Sequence, residues 1–234
     1  MPHLPARKVK ALLTPILALA VSSLPLAAQR PATPDQALAE LQAGNLRFVE
    51  GKSIRPNQSV ARVKEVAEGQ APFATVVGCS DSRVPNEIVF DQGVGDLFIV
   101  RTAGQVSSYA SWGSIEFAAV VLGAKLIVVL GHSKCGAVAA ACTVPDVPGH
   151  IVTLINAIKP AADAAKGIEK EFGGHVETAV RVNVAMQVTQ LRRLEPVLSK
   201  GVAKGEFKIV GGVYDLQTGK VNFLTEEFIQ RFAR

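Results

Sequence analysis

The sequence predicts an α/β fold in which helices flank a mostly parallel central sheet and an antiparallel hairpin lies near the C-terminus. Three apolar runs of strand length support this prediction: Phe73–Gly78, Leu97–Arg101 and Lys125–Leu130. Short runs that are rich in β-branched residues and end near glycine are typical of strands buried on both faces. Helical patterns follow these runs, and alternation of strands with helices favours a parallel sheet covered on both sides.

The first 28 residues have the layout of a secretory signal peptide. A basic head precedes an apolar run from Ala11 to Leu26, and small residues reach to Ala28. Pro15 and Pro25 interrupt the run, which is short for a membrane span of about 20 apolar residues. An uncleaved anchor and a buried N-terminal helix are the alternatives. We expect cleavage after Ala28, export to the periplasm or the medium, and no stable membrane association of the mature chain.

Charge and cysteine content exclude some classes of protein for the mature chain, residues 29–234. The whole chain has a net charge of +5, and loss of the three basic residues of the leader lowers this to +2. A charge this close to neutral removes most of the support for nucleic-acid binding. The three cysteines, Cys79, Cys135 and Cys142, are too few for a disulfide scaffold. We therefore expect a single domain that binds no nucleic acid.

The remaining elements are predicted from helical spacing and turn residues. Thr33 or Asp35 is a suitable N-cap for a helical arm that runs to Val49 with one apolar side. Phe207–Leu216 and Val221–Leu224 lie on either side of a glycine-containing turn and predict the hairpin. The other predicted helices cover residues 60–67, 85–90, 107–122, 136–142, 150–166 with an interruption at Pro160, 174–198 and 226–232.

Two short motifs follow the first and third predicted strands. They are Cys79-Ser-Asp-Ser-Arg83 and His132-Ser-Lys-Cys-Gly136. Side chains just past the carboxyl ends of neighbouring parallel strands meet in one crevice, where open α/β sheets bind ligands. Two thiolates and an imidazole are zinc ligands, and a Cys2His set leaves one tetrahedral position open for catalysis. Buried structural cysteines, or a Cys79–Cys135 disulfide in an oxidising compartment, are the alternatives.

Asp81 and Arg83 offer two arrangements for the fourth position of this site. Asp81 lies two residues after Cys79, close enough to bind the same metal and block the position. Arg83 can instead hold the Asp81 carboxylate with two parallel hydrogen bonds and leave the position open to water. Zinc with two thiolates has no formal net charge, so it should acidify a bound water less than a tris-imidazole site does. We therefore expect activity that rises at alkaline pH.

Taken together, the motifs resemble those of the β-class carbonic anhydrases. The resemblance rests on Cys79-Ser-Asp-Ser-Arg-Val-Pro85 and Gly131-His-Ser-Lys-Cys-Gly136, and it extends over most of the mature chain. Further segments similar to that family are Gly44-Asn-Leu-Arg-Phe48, Phe90-Asp-Gln-Gly-Val-Gly-Asp-Leu-Phe98, Arg101-Thr-Ala-Gly104, Ser114-Ile-Glu-Phe117 and Val213-Tyr-Asp-Leu216.

The resemblance implies reversible hydration of carbon dioxide to bicarbonate and a proton. It implies Zn²⁺ on Cys79, His132 and Cys135, with water or Asp81 as the fourth ligand. A zinc-bound hydroxide would attack carbon dioxide in an apolar pocket, and Asp81, oriented by Arg83, would keep that oxygen aimed at the substrate. Gln70, in the loop before the first strand, is the candidate for a substrate-binding glutamine, and Gln92 is a second choice.

The resemblance also implies a homodimer, often paired into homotetramers, in which the helix at 35–49 wraps a neighbouring subunit. Packing of that helix within its own chain is the alternative. Two other functions share the same residues: hydrolysis of carbonyl sulfide or carbon disulfide, and a zinc-stabilised binding module without turnover. A metal-free thiol–disulfide protein is a further alternative, although Cys79 and Cys135 are unlike the closely spaced pair that such chemistry uses.

Overall fold

The computed structural model describes residues 30–144 and 146–233. The predicted signal peptide and its cleavage site lie outside these residues. Within them, five strands form one sheet in the order β2-β1-β3-β4-β5. The first four strands are parallel, and β5 pairs antiparallel with β4. The strands are β1 Ala74–Cys79, β2 Leu97–Thr102, β3 Leu126–His132, β4 Lys208–Tyr214 and β5 Val221–Phe223.

Helices cover both faces of this sheet. They are α1 Pro34–Val49, α2 Val60–Glu65, α3 Asn86–Val89, α4 Tyr109–Glu116, α5 Gly136–Thr143, α6 Ile151–Ala164, α7 His175–Arg192, α8 Leu198–Ala203 and α9 Glu226–Arg231. One core cluster joins one face of the sheet to α4 through α9, and a second joins the opposite face to α1 and α3. The mostly parallel sheet, its helical layers and the C-terminal hairpin confirm the predicted fold class.

The two central strands explain why the apolar runs are so uniform. Every residue of β1 and β3 is buried, because each strand has a neighbour on both edges and helices on both faces. By contrast, β2 lies at the edge of the sheet, and its residues are only partly buried. The parallel register pairs Cys79 with Thr102 and His132 with Tyr214, so these four residues end their strands at the same edge.

Helix α1 packs one face against its own chain. Thr33 caps the helix and forms a capping box with Gln36, in agreement with one of the two predicted caps. Leu41 is fully buried in the second core cluster. The side chain of Asn45 donates to the carbonyls of Val89 and Gly219. Leu46 on another side is exposed, so contact of α1 with a neighbouring subunit stays a prediction.

Three predicted helices differ from those in the structure. Helix α6 runs without a break through Pro160, because buried residues on both sides of the proline hold it against α7. The predicted helix over 174–198 is wrong at its end, since α7 stops at Arg192 before Pro196, a residue that lacks an N–H and disfavours helix in the residue before it. The predicted helix over 107–122 contains a π-helical turn at Phe117–Val121.

Among residues 30–144 and 146–233, no helix combines the length and the apolar character that crossing a bilayer requires.

Candidate metal centre

The sheet brings the two predicted motifs together at its carboxyl edge. Cys79 is the last residue of β1, His132 is the last residue of the adjacent strand β3, and Cys135 is the N-cap of α5. All three side chains are buried, and their two sulfur atoms and one imidazole nitrogen lie within 4.8 Å of one another. Of the expected site residues, these three form a cluster, and the described cysteines are free thiols rather than a disulfide.

The geometry of His132 suits a metal ligand. Its Nδ1 lies 2.9 Å from the carbonyl oxygen of Ser133, which can only accept, so Nδ1 carries the hydrogen. Its Nε2 is buried without a hydrogen-bond partner. An orphaned imidazole nitrogen beside two thiols is costly unless a ligand satisfies it. The donor set therefore fits Zn²⁺, which prefers sulfur and imidazole ligands.

The two thiols titrate as a pair. A hydrogen bond shared with Cys135 lowers the pKa of the Cys79 thiol, and His132 and the amide of Gly104 lower it further. The same shared hydrogen bond raises the pKa of Cys135, although the amides of Ala137 and Val138 at the start of α5 oppose the rise. Burial alone would lower the pKa of His132, but the adjacent Cys79 sulfur and the Ser133 carbonyl raise it overall. The shared hydrogen bond thus concentrates negative charge on the Cys79 sulfur, and a divalent cation would neutralise that charge.

Asp81 and Arg83 form a two-pronged pair next to the cluster. Nε of Arg83 donates to Oδ1 of Asp81 at 2.9 Å, and an Nη of Arg83 donates to Oδ2 at 2.7 Å. The backbone N–H of Arg83 also donates to Oδ1. Hydrogen bonding from Arg83 holds the pKa of Asp81 well below its usual range. The carboxylate is therefore ionised at neutral pH.

The position of this pair bears on the fourth ligand. Oδ2 of Asp81 lies 3.7 Å from Nε2 of His132, so the carboxylate borders the cluster. Both of its oxygens are nevertheless held by Arg83. This arrangement is the open one of the two predicted alternatives, and metal binding by Asp81 stays a prediction. Arg101 fixes the turn that carries the carboxylate, because it donates to the carbonyls of Cys79 and Asp81.

The structure does not bring Gln70 to the cluster within one chain. Gln70 is exposed and precedes β1, whereas Cys79 ends that strand. A six-residue strand spans ~17 Å, so the two residues lie at opposite ends of it. Gln92, the second choice, is buried elsewhere, and its amide donates to Glu40 and to the carbonyl of Phe90. A substrate contact by Gln70 stays a prediction that only another subunit's site could satisfy.

Two residues of α7 that were not predicted contact the loops beside the cluster. These metal loops are residues 133–134, between His132 and Cys135, and residues 103–105, directly after β2. A carboxylate oxygen of Glu177 accepts the backbone N–H of Lys134, which lies between His132 and Cys135 with a φ of 53°. The side-chain amide of Asn183 donates to the carbonyl of Gly104. Half of the residues of α7 are polar, so the sequence offered no signal that set Glu177 and Asn183 apart.

Comparison with known proteins agrees with this geometry. The carbonic anhydrase family profile matches residues 74–221. A carbonic anhydrase of Mycolicibacterium smegmatis is 41% identical over 192 residues, which cover 80% of this chain and 92% of that protein. Carbonic anhydrase 2 of Mycobacterium tuberculosis is 39% identical over 198 residues, which cover 80% of this chain and 91% of that protein.

A solved structure shares the fold. One of two tetrameric β-carbonic anhydrases from the filamentous ascomycete Sordaria macrospora superimposes with a TM-score of 0.65 at 24% sequence identity. The match covers 80% of this chain and 96% of that chain. The family profile, the close relatives, the shared fold and the Cys79–His132–Cys135 cluster lead to one assignment: the chain belongs to the β-class carbonic anhydrases.

Proposed function

We propose that this protein catalyses the reversible hydration of carbon dioxide to bicarbonate and a proton with Zn²⁺ as its cofactor. The observation that carries the proposal is the buried Cys79–His132–Cys135 cluster in a chain 41% identical to a carbonic anhydrase. Zn²⁺ held by these residues would supply Lewis acidity, which lowers the pKa of a bound water and makes it a nucleophile.

The number of ligands supports catalysis over a structural role. A structural zinc site is closed by four protein ligands, whereas a catalytic site uses three and keeps one position for water or substrate. The cluster has three members, and Arg83 occupies the carboxylate that could supply a fourth. This arrangement argues against the non-catalytic binding module. Hydrolysis of carbonyl sulfide or carbon disulfide by the same site gains no support from the fold or the cluster.

Asp81 is proposed to orient the reacting oxygen. Its carboxylate is ionised at neutral pH and is oriented by two hydrogen bonds from Arg83, so it is a hydrogen-bond acceptor beside the cluster. An acceptor in this place can hold the proton of an attacking water, or of the bicarbonate hydroxyl, and so aim the oxygen at the carbon. Arg83 is exposed, which leaves its pairing with Asp81 open to competition by water and anions.

We also propose that the protein works as a homodimer or homotetramer. Strand β2 is an open sheet edge, and Tyr109, Val120 and Val121 are exposed by 87%, 63% and 65%. Unpaired strand edges and exposed apolar side chains are features of subunit interfaces. The Sordaria macrospora relative is described as tetrameric. Sedimentation at micromolar concentration tests this proposal, and a monomer would contradict it.

Export is proposed from the leader alone. A basic head and an apolar run that end near Ala28 support a cleaved signal, and hence a periplasmic or secreted protein. The intact mass of the protein recovered from the periplasm and the medium of an expressing bacterium tests this. The expected product starts at Gln29, and retention of the uncleaved chain inside the cell would overturn the proposal.

A cysteine pair provides the matched test of the proposed chemistry. Cys135→Ser removes a ligand from the cluster, whereas Cys142→Ser changes a cysteine on the same helix that lies outside it. Cys135→Ser should lose bound zinc and at least ~100-fold in hydration rate, while Cys142→Ser should keep both. Equal zinc content and equal rates in the two variants would reject the proposed site.

A further inference from the structure

The loop after β2 presents a backbone amide to one of the proposed metal ligands. The N–H of Gly104 donates to Sγ of Cys79 at 3.2 Å, and both groups are buried. Hydrogen bonds to a ligand sulfur withdraw charge from it and so change the electron density that it gives to a bound metal. The orientation of the Gly104 N–H therefore affects a metal bound by Cys79, so the loop must keep this N–H directed at the sulfur.

The backbone of Gly104 lies in an unusual conformation. Its φ is 70°, in the left-handed region that favours glycine. A Cβ at this position would lie 2.5 Å from Cδ1 of Ile158 and 3.3 Å from Cβ of Ala137. The loop is therefore pressed against α6 and against the first turn of α5, directly after Cys135. Glycine permits this conformation but does not select it, because it populates many others.

Asn183 of α7 favours this one conformation of the Gly104 backbone. Its side-chain amide nitrogen donates to the carbonyl oxygen of Gly104 at 3.0 Å. Because a carbonyl only accepts, the nitrogen of the amide must face it. Asn183 is 1% exposed and has the buried residues Val182 and Val184 as its neighbours on the helix. Both hydrogen-bonding groups of Gly104 are thus occupied: its carbonyl by Asn183 and its N–H by the Cys79 sulfur.

We propose that Asn183 is a positioning residue that holds the Gly104 amide on the Cys79 sulfur and thereby tunes the metal centre. This inference rests on the proposed function, because it assumes that Cys79 binds the metal. An asparagine inside an apolar layer is unfavourable unless it is paired, and its one donor bond goes to the residue that contacts the ligand. Asn183 touches neither the metal ligands nor the reacting atoms directly.

The test compares two buried polar residues of the same helix. Asn183→Leu has a similar volume but no donor, so it frees the Gly104 carbonyl. Thr178→Val is the matched control, because the Thr178 hydroxyl donates to the carbonyl of Gly174 and also approaches that of Glu169, and neither carbonyl belongs to a loop that contacts the proposed metal ligands. Each variant loses a side-chain hydrogen bond to a backbone carbonyl, so both should lose some folding stability. Asn183→Ser, whose hydroxyl is too short to reach, replaces the leucine variant if that fails to fold.

The readout is the thiolate-to-metal charge-transfer band of the Co²⁺-substituted full protein, together with kcat/KM of the Zn²⁺ form. Loss of a hydrogen bond raises the energy of the sulfur electrons, so Asn183→Leu should shift the band to longer wavelength and lower kcat/KM by ~10-fold or more. Thr178→Val should leave both at the wild-type values. A band and a kcat/KM in Asn183→Leu that match those of Thr178→Val would overturn the inference.

The wild-type protein separates this inference from the proposed function. If it binds Co²⁺ but does not hydrate carbon dioxide, the proposed function fails, and the band comparison still decides the role of Asn183. If it binds neither Co²⁺ nor Zn²⁺, both proposals are overturned.

Discussion

A substitution at Gly44 tests how α1 is attached to the domain. Gly44 lies on the buried face of α1, and a Cβ there would lie 1.9 Å from the carbonyl oxygen of Phe90 and 2.8 Å from its carbon. These are backbone atoms, which cannot rotate away, so Gly44→Ala must push α1 off α3. The displacement would strain the bonds of the next residue, Asn45, to the backbone of Val89, Gly219 and Val221.

The size of the effect follows from three contributions. Overpacking of a tight contact costs about 1–3 kcal/mol. Weakening the three buried Asn45 bonds costs about 0.5–1.5 kcal/mol for each one lost. The higher helix propensity of alanine offsets about 1 kcal/mol of this loss, because glycine is less favourable than alanine inside a helix. With two of the three Asn45 bonds lost, these contributions predict that Gly44→Ala lowers the free energy of unfolding by about 1–5 kcal/mol.

Urea denaturation at a fixed protein concentration measures this, since the stability of an oligomer depends on concentration. The control is Gly113→Ala in α4, where, among the described residues and apart from the adjacent residues and the backbone of α4 itself, no atom lies within 4 Å of the new Cβ. It should leave stability unchanged or raise it by up to about 1 kcal/mol. Wild-type stability in Gly44→Ala would refute the packing of α1 on its own chain and favour a helix that contacts only a neighbouring subunit.

Three further predictions concern the site and its support. Arg83→Ala frees the Asp81 carboxylate, so the rate of carbon dioxide hydration near pH 7 should fall at least ~10-fold in stopped-flow assays. Arg83→Lys should have an intermediate rate, because lysine cannot hold the carboxylate with two parallel hydrogen bonds. Equal rates in the wild type and both variants would contradict the role of the pair. Removal of zinc by a chelator should abolish activity until zinc is restored, and it should let Cys79, whose pKa is lowered, react with an alkylating agent faster than in the zinc-bound protein. Equal alkylation of Cys79 with and without zinc would speak against the site. Burial alone would raise the pKa of Asp91, but bonds from Arg47 and two backbone amides lower it overall. The ionised carboxylate therefore stabilises the fold above pH ~4, and this stabilisation is lost as the pH falls further. Asp91→Asn should lower the free energy of unfolding by about 2 kcal/mol at neutral pH and by less in acid. A loss of stability that does not change with pH would contradict this explanation.

The parts of the fold that the sequence predicts well are those with strong local signals. The runs that became β1 and β3 are mainly apolar because both strands are buried on every side. His132 and Cys135 could be placed together because they follow one of these strands. Gln70 was assigned to the site by likeness of its loop, and the structure puts it at the opposite end of β1 from Cys79.

The supporting residues could not be predicted because their partners are distant in sequence. Asn183 bonds a residue 79 positions earlier, and Glu177 bonds one 43 positions earlier. Neither has a neighbouring motif, and only the crossing of α7 over the ends of the strands brings them to the metal loops. Pro160 failed as a helix breaker for a related reason: packing against α7 outweighs the local cost of the proline.

The most direct test of the central claim is stopped-flow carbon dioxide hydration by the chain from Gln29 onward, with zinc content measured on the same sample. We predict about one zinc per chain and fast hydration that is stronger near pH 8.5 than near pH 7. A sample that carries its full zinc and hydrates no carbon dioxide at either pH would contradict the claim.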